Sequence, residues 1–182
     1  YLEHANLFII PLDNERRWYR YHHLFADVLR MHLMAEQPDQ VSALHRRASE
    51  WYELNGSTDN AIRHVLAADD FERAATLIEL AEPEMRRNRQ GAKVTELGWL
   101  KALPDELVHF RPVLSVAYAF ALFGGGELGG VEPRLRDAER WLDTSTNGSR
   151  QDAATSDGRL VEDEEAFRQL PGSIAMHRAG QS

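Results

Sequence analysis

The spacing of apolar residues changes once along this chain, and that change constrains its fold more than any other feature. Before His22 they come in short β-branched and aromatic runs: Leu7-Phe8-Ile9-Ile10-Pro11-Leu12, then Asp13-Asn14-Glu15, then Arg16-Arg17-Trp18-Tyr19-Arg20-Tyr21. Two such runs around turn-forming residues predict a β-hairpin. Pro11 has no N–H to give to a ladder, which places it at a strand end or edge. From His22 onward Leu24, Phe25, Val28, Leu29 and Leu33 recur at helical spacing, with Asp27, Arg30 and Glu36 between them. This predicts an amphipathic helix ending near Gln37-Pro38. A hairpin leading directly into such a helix fits the end of a winged-helix fold, here residues 1–37.

Beyond Pro38 the pattern stays helical. Residues 41–54 place Val41, Leu44, Ala48, Trp51 and Tyr52 on one side, and Asn55-Gly56 is a left-handed stop. Ser57-Thr58-Asp59 offers N-caps to a second helix over 61–68, and Asp69-Asp70 caps a third with Phe71, Ala74, Ala75, Leu77, Ile78 and Leu80 as its stripe. Pro83 is expected to kink or end it. A fourth carries Val94, Leu97, Trp99, Leu100 and Leu103 and stops at Pro104. Residues 112–123 are apolar all round, which predicts a buried helix ended by Gly124-Gly125-Gly126, and a partner runs over 131–142. Helix, turn and helix repeated with small residues at close contacts is the pattern of a tetratricopeptide-like solenoid. The fold class is therefore mostly α: a β-hairpin plus helix of a partial winged helix, then a helical-repeat region over 38–143. Residues 144–159 contain no large apolar side chain and predict a flexible linker. Residues 160–182 read as the start of a further, truncated repeat: a short helix with Phe167 and Leu170, then another beginning at Ile174. The run Glu162-Asp163-Glu164-Glu165 fits a solvated helix start, where carboxylates favour the N-terminal dipole.

Composition narrows the function. With 21 Lys+Arg against 29 Asp+Glu the formal charge is −8, and an acidic surface repels a phosphate backbone, so nucleic-acid binding by this stretch itself is not expected. The chain has no Cys, which removes disulfides, thiolate nucleophiles and Cys-based zinc sites. No apolar run is long enough for a membrane span and the start lacks the sections of a signal peptide. The cytoplasm is the expected location, and the lack of an initiator Met leads us to expect that the chain begins inside a larger protein.

Neither G-x-x-x-x-G-K-[ST] nor G-x-S-x-G occurs, so no catalytic residue and no enzyme is expected. The glycines at 124–126 and 129–130 read as a turn between paired helices. Among the eight His, His23 and Asp27 have the i, i+4 spacing of two ligands on one helix face. A third ligand would have to come from His22 or from a distant His such as His45 or His64. Packing and hydrogen bonding are the favoured roles, and no metal is assigned. Trp18, Tyr19, Tyr21 and Phe25 beside Arg16, Arg17 and Arg20 could form a base-stacking surface. The acidic total favours alternate aromatics packing inward with the Arg residues in water.

Two stretches carry a resemblance. Asn6 to Asp13, then Trp18-Tyr19-Arg20-Tyr21-His22-His23-Leu24-Phe25-Ala26-Asp27-Val28-Leu29-Arg30, resembles the large ATP-dependent LuxR-type transcriptional regulators typified by MalT. So does His45-Arg46-Arg47-Ala48-Ser49-Glu50-Trp51-Tyr52, with Asn55-Gly56, Ala61-Ile62-Arg63-His64 and Asp70-Phe71-Glu72-Arg73-Ala74-Ala75. The resemblance implies a signal-transduction ATPase architecture: an ATP-binding module, a winged helix, a helical sensor and a helix-turn-helix DNA reader. It implies ATP or ADP as cofactor of the full-length protein with none held in this chain. It further implies neighbouring domains, a small-molecule inducer, DNA and RNA polymerase as partners of the whole, and self-association on activation, without a membrane. In related switch ATPases a His at the head of the last winged-helix helix, in a Met-His-Asp-like motif, senses ADP. Tyr21-His22-His23-Leu24 stands in that place, with Tyr21 for the Met and His23 for the acid, so His22 is the candidate nucleotide-phosphate sensor. The alternative is a stand-alone helical-repeat scaffold that binds a protein partner.

Overall fold

The computed structural model describes residues 8–15, 17, 19–87, 92–147 and 164–179. Among the described residues a two-stranded hairpin precedes nine α-helices, so the chain is a winged-helix-type hairpin and helix followed by a helical repeat region. It divides into two compact units, Tyr1–Leu44 and His45–Ser182.

In the first unit β1 (Ile9–Pro11) pairs antiparallel with β2 (Tyr19–Tyr21), Ile9 opposite Tyr21 and Pro11 opposite Tyr19. Pro11 ends its strand, where a missing N–H interrupts nothing. Arg17 N donates to Asp13 Oδ1 at 2.9 Å and braces the turn. The helix α1 (His23–Glu36) follows at once, and His22 N donates to Phe8 O at 2.6 Å, tying the helix start to the hairpin. Phe8 stacks on Phe25 with centroids 4.5 Å apart, and Tyr21 meets Phe25 edge-on. The expectation that alternate β2 aromatics are buried is not met: Tyr19 and Tyr21 are both exposed, and α1 buries no residue. A two-stranded ribbon beside one helix has too few layers to cover either face. Trp18 and Arg16 lie outside the described residues.

The helix α2 (Pro38–Leu54) begins in the first unit and ends in the second. After it come α3 (Thr58–Leu66), α4 (Phe71–Arg87), α5 (Ala92–Ala102), α6 (Asp105–His109), α7 (Pro112–Gly124), a 3-10 turn at Leu128–Gly130, α8 (Val131–Asn147) and α9 (Glu164–Ala179). Three helix ends close in one way. After α2, Ser57 N donates to Tyr52 O and Gly56 N to Glu53 O, the paired bonds of a Schellman stop. The same pairing returns at Val65–Asp70 with Asp69 at φ 56 and at Leu122–Glu127 with Gly126 at φ 79. Gly56 sits at φ 72 with open space where a Cβ would go, so Gly56→Ala is expected to cost about 1 kcal/mol through backbone strain alone. Urea titration checks this; an unchanged midpoint would remove the strain argument.

The core of the second unit is built round α7. Pro112 starts it at a position where no N–H is needed, and ten of its thirteen residues are buried. It packs against α4, α5, α6, α8 and α9, which explains why it is apolar all round. Ile62, Val65 and Ile78 from α3 and α4, Leu100 from α5 and Leu135 from α8 complete the same cluster.

Several expectations need correction. Ser57 holds the cap position of α3, but its side chain gives no cap bond; its Oγ accepts from Asn60 Nδ2 instead. The short α6 was not anticipated. Pro83 lies within α4, which runs on to Arg87. The two helices expected over 160–182 are one: α9 passes through Pro171 because Phe167, Leu170 and Ile174 form one buried stripe on both sides of it. Ser173 Oγ donates to Gln169 O there, supplying a side-chain bond beside the proline. The helix α8 continues to Asn147, so the boundary expected at 143/144 falls inside it; residues 148–163 lie outside the described residues. No described helix is long and apolar enough to cross a membrane.

Candidate functional site

His22 occupies the N-cap position of α1, with extended backbone (ψ 137) and no side-chain cap bond. Its ring lies half-buried against that of His23, centroids 4.3 Å apart. An imidazole free of a capping task, at the positive end of a helix, is chemically able to donate to an anionic oxygen. Asp27, one turn on from His23, is bonded by Arg30 NH1 at 2.7 Å, so the His23 and Asp27 pairing is not assembled as a ligand pair. Among the described residues no three His, Cys, Asp or Glu side chains are placed to hold a metal ion.

Two of the histidines weighed as remote ligands do come together. In the second unit His45 Nδ1 of α2 lies 2.8 Å from His64 Nδ1 of α3. Tyr52 stacks on His64, centroids 5.3 Å apart and planes 14° from parallel. One turn along α2 from His45, Ser49 Oγ donates to Ala61 O at 2.9 Å, fully enclosed. Arg46 Nε reaches Asp70 Oδ2 at 3.2 Å and Arg73 of α4 pairs with Glu53. Burial of its ring, then the charges of His45 and Arg63, pull the His64 pKa below the ordinary histidine value. Sequence reading missed this contact because the partners are nineteen residues apart on different helices. The available signal was the shared face: His45 lies one turn before Ser49, and His64 one turn after Ala61.

A second missed feature is an enclosed ion pair. Arg111, immediately before α7, points back onto α4: NH1 lies 2.9 Å from Glu79 Oε2 and NH2 3.0 Å from Glu72 Oε2, with Thr76 Oγ1 at 3.3 Å. The Arg111 and Glu79 side chains are 3% and 1% exposed. Farther along, Arg178 of α9 bridges Glu132 and Glu139 of α8, and its hydrogen bond holds the Glu132 carboxyl below the usual range. These contacts join helices; none of them frames a reacting centre.

Hairpin, helix and helical repeats together define a mostly helical chain with a winged-helix-type segment at its N-terminal side. Residues 1–41 match the MalT winged helix domain. Over a longer stretch the chain is 36% identical over 111 residues to the HTH-type transcriptional regulator MalT of Vibrio cholerae, covering 61% of this chain and 11% of that protein. Against MalT of Vibrio campbellii the identity is 28% over 138 residues, 76% of this chain and 15% of that protein. It is also 37% identical over 119 residues to the serine/threonine-protein kinase PknK of Mycobacterium tuberculosis, 65% of this chain and 10% of the kinase. The chain thus spans between 10% and 15% of the length of these curated relatives. No solved structure matches it.

Proposed function

We propose that this chain is a non-catalytic transmitting segment of a MalT-type, ATP- and effector-dependent transcriptional activator working in the cytoplasm. It couples a nucleotide-binding module to the helical sensor. The observation that carries the reading is the position of His22: it heads α1 inside the stretch matching the MalT winged helix domain. ADP held with the help of His22 would favour a closed state, and inducer on the repeat region together with ATP would favour an open, self-associating one. Such a ligand shifts the balance only by its difference in affinity for the two states. DNA and RNA polymerase are then contacted by other parts of the full-length protein. Leu24, Val28 and Met31, exposed on one face of α1, support a role for neighbouring domains as partners.

Binding of a fluorescent ADP analogue to the full-length protein, with and without His22→Ala, tests the reading alongside promoter activation. The expected result is an affinity loss of at least about tenfold, the lower end of what one charge-assisted hydrogen bond contributes, with activation in the absence of inducer. Unchanged affinity and unchanged activation would leave His22 as packing and sink the sensor role.

The similarity to PknK favours a second reading, in which the same segment serves a kinase output instead of a DNA-binding one. The module would then transmit a signal without specifying what receives it. Phosphotransfer assays on the full-length protein separate the two outputs.

A further inference from the structure

We propose that His45 and His64 form a proton-operated latch that holds the C-terminal half of α2 on α3 and releases it in acid. The inference does not depend on the regulator reading. It rests first on the bond itself: two imidazole Nδ1 atoms 2.8 Å apart require one to carry a proton and the other a lone pair. In the neutral pair the donor ring has a free Nε2, and the acceptor ring carries its proton on Nε2. A first added proton goes to the donor ring's Nε2, keeps the Nδ1 bond and makes it charge-assisted. A second can go only to the accepting Nδ1, which destroys the bond and leaves two cations face to face. The pair therefore tolerates one added proton and opens on the next.

The second support is the large polar share of this joint. The only buried residue of α2 is Ser49, while Trp51 and Leu54 are exposed. Residues 45–54 carry four polar ties, the histidine pair, Ser49 to Ala61, Arg46 to Asp70 and Glu53 to Arg73, beside Tyr52, which lies on His64 and packs partly buried against the core. A contact poor in buried apolar area has no large hydrophobic term to mask the loss of one hydrogen bond.

The charged surroundings oppose the second proton. From α3 itself Arg63 acts on His64. From α2 come His45 and Arg46, the latter held by Asp70 of the turn before α4. Arg73 of α4 is held by Glu53. The helix α5, also packed on α3, carries Glu96 and Lys101 in its sequence, with Lys101 paired to Glu127. The nearby carboxylates of Asp70 and Glu53 are thus committed to other cations. His64 binds its proton less readily folded than unfolded, so its contribution to stability is complete above the unfolded value of about 6.5 and is lost as pH falls through the folded one.

The test is a proton NMR titration of the imidazoles in the 182-residue chain, with amide exchange of α2 and α7 followed at pH 7.5 and pH 5. The expected result is coupled titration of the two rings, the His64 step lying below the ordinary histidine range. Exchange protection over residues 45–54 should fall at least about tenfold more than that of α7 after correction for intrinsic rates. His64→Asn, whose side-chain amide can still bond His45 without titrating, should keep α2 protected at pH 5. His45→Asn should raise the His64 midpoint. Independent titration of the two rings at ordinary values, or equal loss of protection in wild type and His64→Asn, would overturn the latch.

Discussion

Replacing Arg111 by Met is expected to lower the stability of the second unit by about 3–5 kcal/mol, the cost of removing one partner of an enclosed ion pair. Glu79 is the group left behind, 1% exposed on the inner face of α4 and 2.9 Å from the lost guanidinium. At the entropy of unfolding usual for this size, such a loss lowers the melting temperature by roughly 10 °C. Two companion variants separate charge from packing. Glu72→Gln touches the same guanidinium from a side chain that is 66% exposed, where water screens the pair, and should cost less than about 1 kcal/mol. Arg111→Met combined with Glu79→Leu removes both charges and should recover most of the stability, because the pair's own net value is small once its desolvation is counted. Thermal melts followed by circular dichroism decide the matter. An Arg111→Met melt close to that of wild type would mean that the site opens to water and that the enclosure is not maintained in solution.

This ion pair also shows where sequence reading stops. Helix ends were legible when a residue has a backbone preference of its own: Asn55-Gly56 marks a stop because Gly reaches positive φ freely, and Pro104 marks a break because the residue before it avoids helical angles. The apolar periodicity of 112–123 likewise leads directly to the buried α7. Pro171 misleads, because its local cost is outweighed by Phe167, Leu170 and Ile174 packing as one stripe. Arg111 to Glu79 and His45 to His64 are invisible in the spacing, since each joins residues on different helices whose faces meet only after folding. His22 is the opposite case: its place at the head of α1 is readable from Tyr21-His22-His23-Leu24, whereas its half-buried contact with His23 is set by the fold.

Leu114→Ala should be the other large effect, and it tests whether the repeats behave as separable units. Leu114 is fully buried in the helix that contacts α4, α5, α6, α8 and α9. Truncating it deletes three carbons where no single neighbour can move in without losing another contact, at a cost of about 3–5 kcal/mol. Leu128→Ala, at 59% exposure, removes the same atoms from water-facing surface and should cost less than about 0.5 kcal/mol. The shape of the transition carries more than its midpoint. In a solenoid whose repeats touch only their neighbours, damage to one interface splits unfolding into stages. Here α7 reaches helices on both sequence sides, α4, α5 and α6 before it and α8 and α9 after it, so its loss weakens these five together. Urea unfolding of Leu114→Ala, followed in parallel by Trp fluorescence and far-ultraviolet circular dichroism, should therefore move as one superimposable transition at His45–Ser182. If the two probes part company, with α3 and α4 persisting after α7 and α8 have melted, the second unit is an array of independent pairs, and α7 is only its best-packed member.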